Sequence, residues 1–272
     1  MAVGQLSGCA FRRVTTTRDI TYQPVNLSKG TEAQKLDVYA PKKTPERSPV
    51  LIFVHGGNWN SGNKNLYKFL GKRLARKKIT AVIISYPLSP GANYQQMETA
   101  VRNAVQWTRQ NIGSYGADAN QLFLSGHSAG GHLAALVGLR QDTVAAQRLV
   151  KGLVLIDAAG LDMHGYLHEA KFSAGHTYLK TFTADSTNWK DATPLFHFHQ
   201  NMVPMLVYMG GKTYPSIQKS TARFLAEAKA FNPAPVYHLQ KGKHHIPMIL
   251  QFFWTWNPRY KQIKTFMQSV PK

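Results

Sequence analysis

The sequence predicts an α/β domain in which helices flank a mostly parallel central sheet. Three observations lead there. Short apolar runs alternate with longer segments of helical periodicity. The run at 50–54 (Val-Leu-Ile-Phe-Val) is continuously apolar, as a strand covered on both faces must be. No Pro/Gly/Ser-rich linker divides the 272 residues, so a single domain over 19–272 is expected behind a short tail at 1–18.

Residues 34–40 alternate polar and apolar side chains and then meet Pro41, which suits an outer strand. The buried strand at 50–54 is followed by an amphipathic helix at 64–78. A second buried strand is expected at 80–85, then a long helix at 94–112 carrying Met97, Val101, Val105 and Trp107. Residues 121–125 form the next strand, Ala129–Leu139 a helix, and 151–156 another strand. Residues 161–200 break the rhythm. They are rich in histidine, aromatic and polar residues without a clean period, and suit a small cap excursion above the sheet. Order returns with a strand at 205–208, a helix at 214–231, a strand at 236–239 and a helical region from His245 onward. The run Phe252-Phe253-Trp254-Thr255-Trp256 reads as a buried helix face.

Hydrophobic residues make up 43% of the chain and charged ones 17%, enough for a substantial core and too little charge for a disordered chain. Thirty-three Lys and Arg stand against 13 Asp and Glu, a formal charge of +20. The longest basic patch is Lys72-Arg73-Leu74-Ala75-Arg76-Lys77-Lys78, and elsewhere the basic residues are scattered. Scatter without a zinc-finger, RNA-binding or basic-zipper pattern suits a solvated basic surface, so no specific nucleic-acid partner is expected. A lone Cys9 excludes an intrachain disulfide and Cys-rich metal sites. Leu6-Ser7-Gly8-Cys9 resembles a bacterial lipobox, with Cys9 as the lipid-bearing residue. Such a signal needs an apolar leader upstream, and only Met1 to Gln5 precede it here. With a leader the protein is expected at the cell envelope, tethered through Cys9 or periplasmic; otherwise it is cytoplasmic.

Chemistry concentrates in Gly126-His127-Ser128-Ala129-Gly130-Gly131. The segment follows a strand and opens a helix, the context of a nucleophile elbow. Small residues at 126 and 130 permit the tight turn, and Ser128 stands at a helix N-terminus, where N–H groups favour developing negative charge. His55-Gly56-Gly57-Asn58-Trp59 follows the strand at 50–54. Its glycines let backbone N–H groups converge on a substrate oxygen, so an oxyanion hole is expected from the N–H groups of Gly57, Asn58 and Ala129.

These parts resemble the α/β-hydrolase fold carboxylesterases, in particular the BD-FAE-like branch of bacterial feruloyl/acetylxylan-type esterases and the kynurenine formamidases. The resemblance runs from about Asp19 to the C-terminus. It rests on Leu36-Asp37-Val38-Tyr39-Ala40-Pro41, on His55-Gly56-Gly57-Asn58-Trp59 with Gly62 and Lys64, and on the elbow through His132. Asn58 stands where the family often has a third glycine. The resemblance implies a serine esterase that needs no cofactor and acts on a small-molecule or glycan-linked ester. An arylformamidase-type amide hydrolase and a non-catalytic binding protein of the same fold are the alternatives.

In the chain order Ser, acid, His, the base falls in Lys241-Gly242-Lys243-His244-His245-Ile246-Pro247, with His245 at the family's position and His244 as its neighbour. The acid is harder to place. Its usual site follows the strand at 205–208, but Lys212-Thr213-Tyr214-Pro215 there holds no carboxylate. Asp157, at the end of the strand before, is the first choice; Asp162 is the alternative acid, and a site without an acid is the third possibility. The remaining acids, Asp37 and Glu98 among them, read as surface, turn or helix-face charges. His127 and His132 are expected to be structural, and His164, His168 and His176 to belong to a polar cap rather than a metal site. Trp59, Tyr166, Tyr178, Trp189 and Phe196 are expected to line the pocket or to pack in the core.

Overall fold

The structure, a computed structural model, describes residues 14–24, 32–42, 46–140 and 148–271. Cys9 and its lipobox-like neighbours lie outside them. The described residues form one eight-stranded sheet in the order β1-β2-β4-β3-β5-β6-β7-β8. The strands are β1 (Val14–Gln23), β2 (Gln34–Pro41), β3 (Ser48–Val54), β4 (Thr80–Ile84), β5 (Ala117–His127), β6 (Gly152–Ile156), β7 (Met205–Gly210) and β8 (Val236–Gln240). Pairing is antiparallel for β1 with β2 and for β2 with β4, and parallel from β4 through β8.

Alternation along the inner strands sends side chains into two apolar layers. Val50, Ile52 and Val54 of β3, with Val82 and Ile84 of β4, pack in one layer with α2 (Tyr94–Asn111), α3 (Ala129–Leu139) and α7 (Pro215–Ala228). Leu51, Phe53, Ala81 and Ile83 pack in the other, with α1 (Lys68–Arg76), α8 (His245–Leu250) and α9 (Arg259–Ser269). Each fully buried Leu, Ile or Phe in these layers contributes about 1.5–3 kcal/mol relative to exposure. Helix α2 starts where the sequence indicates because Asn93 and Gln96 make a reciprocal capping box. Between β6 and β7 the chain forms α4 (Met163–Ala170), α5 (Thr177–Phe182) and α6 (Thr187–Asp191).

Several expectations need correction. The outer strand is β1, not β2, and the boundary placed at residue 18 falls inside it. Helix 64–78 divides into a 3-10 turn, Lys64–Tyr67, and α1. Asp37 and Glu98 are buried and paired rather than superficial. Lys64 Nζ, itself buried, reaches Asp37 Oδ1 and Asp19 Oδ1 at 2.6 Å each, and Tyr39 donates to Asp37 Oδ2 at 3.1 Å. Through these contacts Lys64 ties β1 and β2 to the segment after the His55-Gly56-Gly57 turn.

Candidate active site

The carboxyl ends of β3, β5, β6 and β7 meet at one rim of the sheet, where open α/β sheets bind ligands. Ser128 occupies the turn from β5 into α3 with φ 55° and ψ −124°, a conformation few L-residues adopt. Packing enforces it. A Cβ on Gly126 would overlap the Gly130 carbonyl, and one on Gly130 would overlap the carbonyls of Val54 and His55. The Ser128 carbonyl accepts from His132 N and Ala159 N, and its N–H donates to Ile156 O at 3.2 Å.

His245 is the first residue of α8 and is buried, whereas His244 is exposed. Its Nε2 lies 2.9 Å from Ser128 Oγ and its Nδ1 2.6 Å from Asp157 Oδ2. Asp157, wholly buried at the end of β6, accepts three hydrogen bonds: from His245 Nδ1–H, from Gly210 N–H at 2.8 Å and from the Thr213 hydroxyl at 2.5 Å. Three donors offset the desolvation of a buried carboxylate, which otherwise costs several kcal/mol. An Asp157 carboxylate therefore does reach His245, and the site is not acid-free. The alternative acid, Asp162, is elsewhere: it caps α4 by accepting from Gly165 N–H at 3.0 Å and pairs with Arg223 at 2.7 Å.

Thr213 was not legible as part of this group. It lies in the segment after β7, where the resemblance leads one to expect the acid, and points its hydroxyl at the carboxylate one strand away. The one available signal was that vacant position, filled by a side chain able to donate.

The turn after β3 completes the wall. Gly57, Asn58 and Trp59 all have positive φ, at 132°, 51° and 59°. A Cβ on Gly57 would overlap the Ser61 carbonyl, so only glycine fits. The Gly57 carbonyl accepts from Asn60 N and Ser61 N within the turn, and Asn58 Oδ1 accepts from the Tyr178 hydroxyl of α5 at 2.8 Å. Gly57, Asn58, Ser128 and His245 line one cavity of about 1150 Å³. Ala129, the first residue of α3, carries one of the helix's free N–H groups beside Ser128.

The neighbouring histidines do other work. His127 stacks on His245 with ring centroids 4.7 Å apart and donates from Nε2 to the His245 carbonyl at 3.2 Å. Burial pushes its pKa down to about 3, so it stays neutral beside the relay. His132 accepts from Trp59 Nε1–H at 3.2 Å and donates to the Ala192 carbonyl at 2.8 Å, and burial lowers its pKa to about 4. His164 packs against His168, and His176 caps α5. Among the described residues no group of three or more His, Cys, Asp or Glu is placed to hold a metal ion.

Of the aromatic residues expected around the substrate, Tyr166 and Tyr178 line the cavity. Trp59 is buried behind it against His132 and Phe182, Trp189 donates to the Thr183 carbonyl, and Phe196 packs on His164. Further apolar lining comes from Leu66, Phe69, Tyr214, Ile246, Ile249 and Leu250, which pattern alone did not single out, and from Phe253. The run expected to be a buried helix face is mostly exposed: Phe252 is buried, while Phe253, Trp254 and Trp256 are open.

Comparison with known proteins places the chain in a family. The BD-FAE family model matches residues 36–228, more than two thirds of the chain. Esterase LipC of Mycobacterium tuberculosis is 28% identical over 222 residues, covering 76% of this chain and 55% of that protein. Kynurenine formamidase of Salmo salar is 36% identical over 106 residues, 39% of this chain and 35% of that one. The chain spans about half, or less, of the length of the curated relatives it matches. Among solved structures, inhibited esterase B from Lactobacillus rhamnosis superimposes with a TM-score of 0.75 at 20% identity, over 94% of this chain and 85% of that one. That likeness fixes the fold as that of the α/β hydrolases. Matched over most of its length, with its elbow and glycine turn at one sheet rim, the chain belongs to the BD-FAE family.

Proposed function

We propose that the protein is a serine carboxylic-ester hydrolase working through an acyl-enzyme. The observation that carries this is the unbroken relay from Ser128 Oγ through His245 to Asp157, opening on a cavity with the Gly57 turn opposite. His245 Nε2 takes the Ser128 proton as Oγ attacks the ester carbonyl. Charge developing on the carbonyl oxygen is met by the N–H groups of Gly57, Asn58 and Ala129. The tetrahedral intermediate collapses, the imidazolium protonates the leaving alcohol, and water then repeats the sequence to release the acid. Asp157 holds Nδ1–H of His245 so that Nε2 stays free to accept, and it stabilises the imidazolium. A cavity of about 1150 Å³ is large for an acetyl group alone, so bulky or carbohydrate-linked acyl esters suit it. Arylformamide hydrolysis would use the same relay, and the kynurenine formamidase relative keeps it as the second reading.

The test is turnover of p-nitrophenyl acetate and labelling by a fluorophosphonate, with wild type beside Ser128→Ala. Labelling and turnover should be lost together in the variant; absence of both in the wild type overturns the reading. Acetylated xylan, feruloyl esters and an arylformamide, compared by kcat/KM, then assign the substrate. Lipidation at Cys9 is a separate proposal, read by mass spectrometry of the native N-terminal peptide: an acyl adduct supports it and an unmodified Cys9 removes it.

A further inference from the structure

One mouth of the cavity opens onto exposed apolar residues that the proposed chemistry does not use. Leu66 is 62% exposed, Ile246 53% and Phe253 48%, and all three line the cavity. The surface continues beyond it. Leu250 is shared with a shallow neighbouring hollow that also contains Trp254, Trp256 and Lys243, and the Trp256 side chain is 77% exposed. Monomeric proteins rarely leave such a contiguous set of large side chains in water without a partner.

The charge around this face names the partner. Residues 65–97 and 228–271, which supply α1, the exposed aromatic run and the flanking helices, together hold twelve Lys and Arg and no Asp or Glu. Arg73 on α1 donates to the Phe253 carbonyl at 3.2 Å, and Lys243 borders the Trp256 hollow, so basic and aromatic groups meet at the rim itself. Tryptophans in a hollow lined by Lys243 and by no carboxylate match the interface of an anionic lipid layer, where indole sits at headgroup depth and Lys and Arg meet phosphate.

We propose that this face docks the protein on an anionic phospholipid surface, with the cavity mouth turned toward the lipid. Esters partitioned into the lipid then reach Ser128 without crossing water, a consequence that rests on the esterase reading; the docking itself does not.

Flotation with phosphatidylglycerol vesicles and with phosphatidylcholine vesicles tests it, using Ser128→Ala so that catalysis plays no part. Binding should occur on the anionic vesicles, with a blue shift of tryptophan emission, and should fall about tenfold or more from 50 to 500 mM salt. The double variant W254A/W256A should bind about tenfold or more weakly while its melting temperature stays within a few degrees of the parent. In the Ser128 background W254A/W256A should keep p-nitrophenyl acetate turnover, since neither tryptophan lines the catalytic cavity. Equal binding by W254A/W256A and its parent overturns the proposal, as does no binding to anionic vesicles. A dimer that dissociates on W254A/W256A substitution, or retention on an anionic glycan column without vesicle binding, assigns the face to a different occupant and overturns it too.

Discussion

Replacing Asp157 by Asn keeps the size of the side chain and removes its charge. The consequence can be worked from its three partners. Gly210 N–H can only donate, so the new amide oxygen must take the place of Oδ1. The NH2 group is then forced toward His245 Nδ1 and the Thr213 hydroxyl, where Asp157 previously accepted. Facing an amide donor, His245 must leave Nδ1 bare and carry its proton on Nε2, which points at Ser128 Oγ. In that tautomer it cannot accept the serine proton. The cost expected for a wrong tautomer is about 10³–10⁴-fold in kcat, or about 4–5.5 kcal/mol of transition-state stabilisation. The assay is kcat/KM on p-nitrophenyl acetate with active sites counted by fluorophosphonate titration, together with a melting curve to show that the variant is folded. Asp162→Asn is the control and should change kcat/KM by less than about threefold, because its carboxylate serves a helix cap. A folded D157N variant with kcat/KM within about tenfold of wild type would refute the role given to Asp157.

Thr213→Val leaves a buried carboxylate short of one donor, so urea unfolding should show a loss of about 1.5–3 kcal/mol, restored by Thr213→Ser. If Val and Ser behave alike, the hydroxyl is not what Asp157 needs. Ser128→Gly should abolish turnover yet raise stability by about 1 kcal/mol or more, since glycine tolerates φ 55° without strain; a lower melting temperature would contradict this. Acid should destabilise the fold steeply. Burial lowers the pKa of His55 to about 4, of His127 to about 3 and of His132 to about 4, against 6.5 when unfolded. Between pH 6.5 and 4 the unfolded chain binds more protons than the folded one. Stability is therefore full above about pH 6.5 and falls below it, by up to about 4 kcal/mol per pH unit for the three together. The pH dependence of urea midpoints reads the slope, and His132→Asn should reduce it by about one proton.

Ser128, its glycines and the Gly57 turn were legible because the backbone demands they meet are met by adjacent residues. His245 was legible from its place after the last strand. The acid was only half legible. Asp157, at the end of β6, reaches His245, which follows β8, across the end of β7, a relation set by sheet order rather than by any contiguous stretch. Thr213 was invisible for the same reason. Strand β1 escaped notice because Val-Thr-Thr-Thr-Arg-Asp offers neither an apolar run nor a clean alternation, its register against β2 shifting near Asp19. The aromatic run 252–256 shows a limit of another kind, since large apolar side chains read as interior in any pattern and only the packing tells which are covered.

The arrangement around Asp157 has a consequence for how charge is allotted at the rim. The ends of β6 and β7 behave as two seats that hold one negative charge between them: Asp157 occupies one and Thr213 fills the other with a proton donor. A second carboxylate at 213 would stand within hydrogen-bonding distance of the first, and the pair would share a proton rather than both ionise. Placing the acid after β7 instead would therefore call for a reciprocal exchange, D157T with T213D, in which each residue takes over the other's part. The acid is held at the junction of the two strands, its carboxylate supplied from β6 and its hydroxyl donor from the segment after β7.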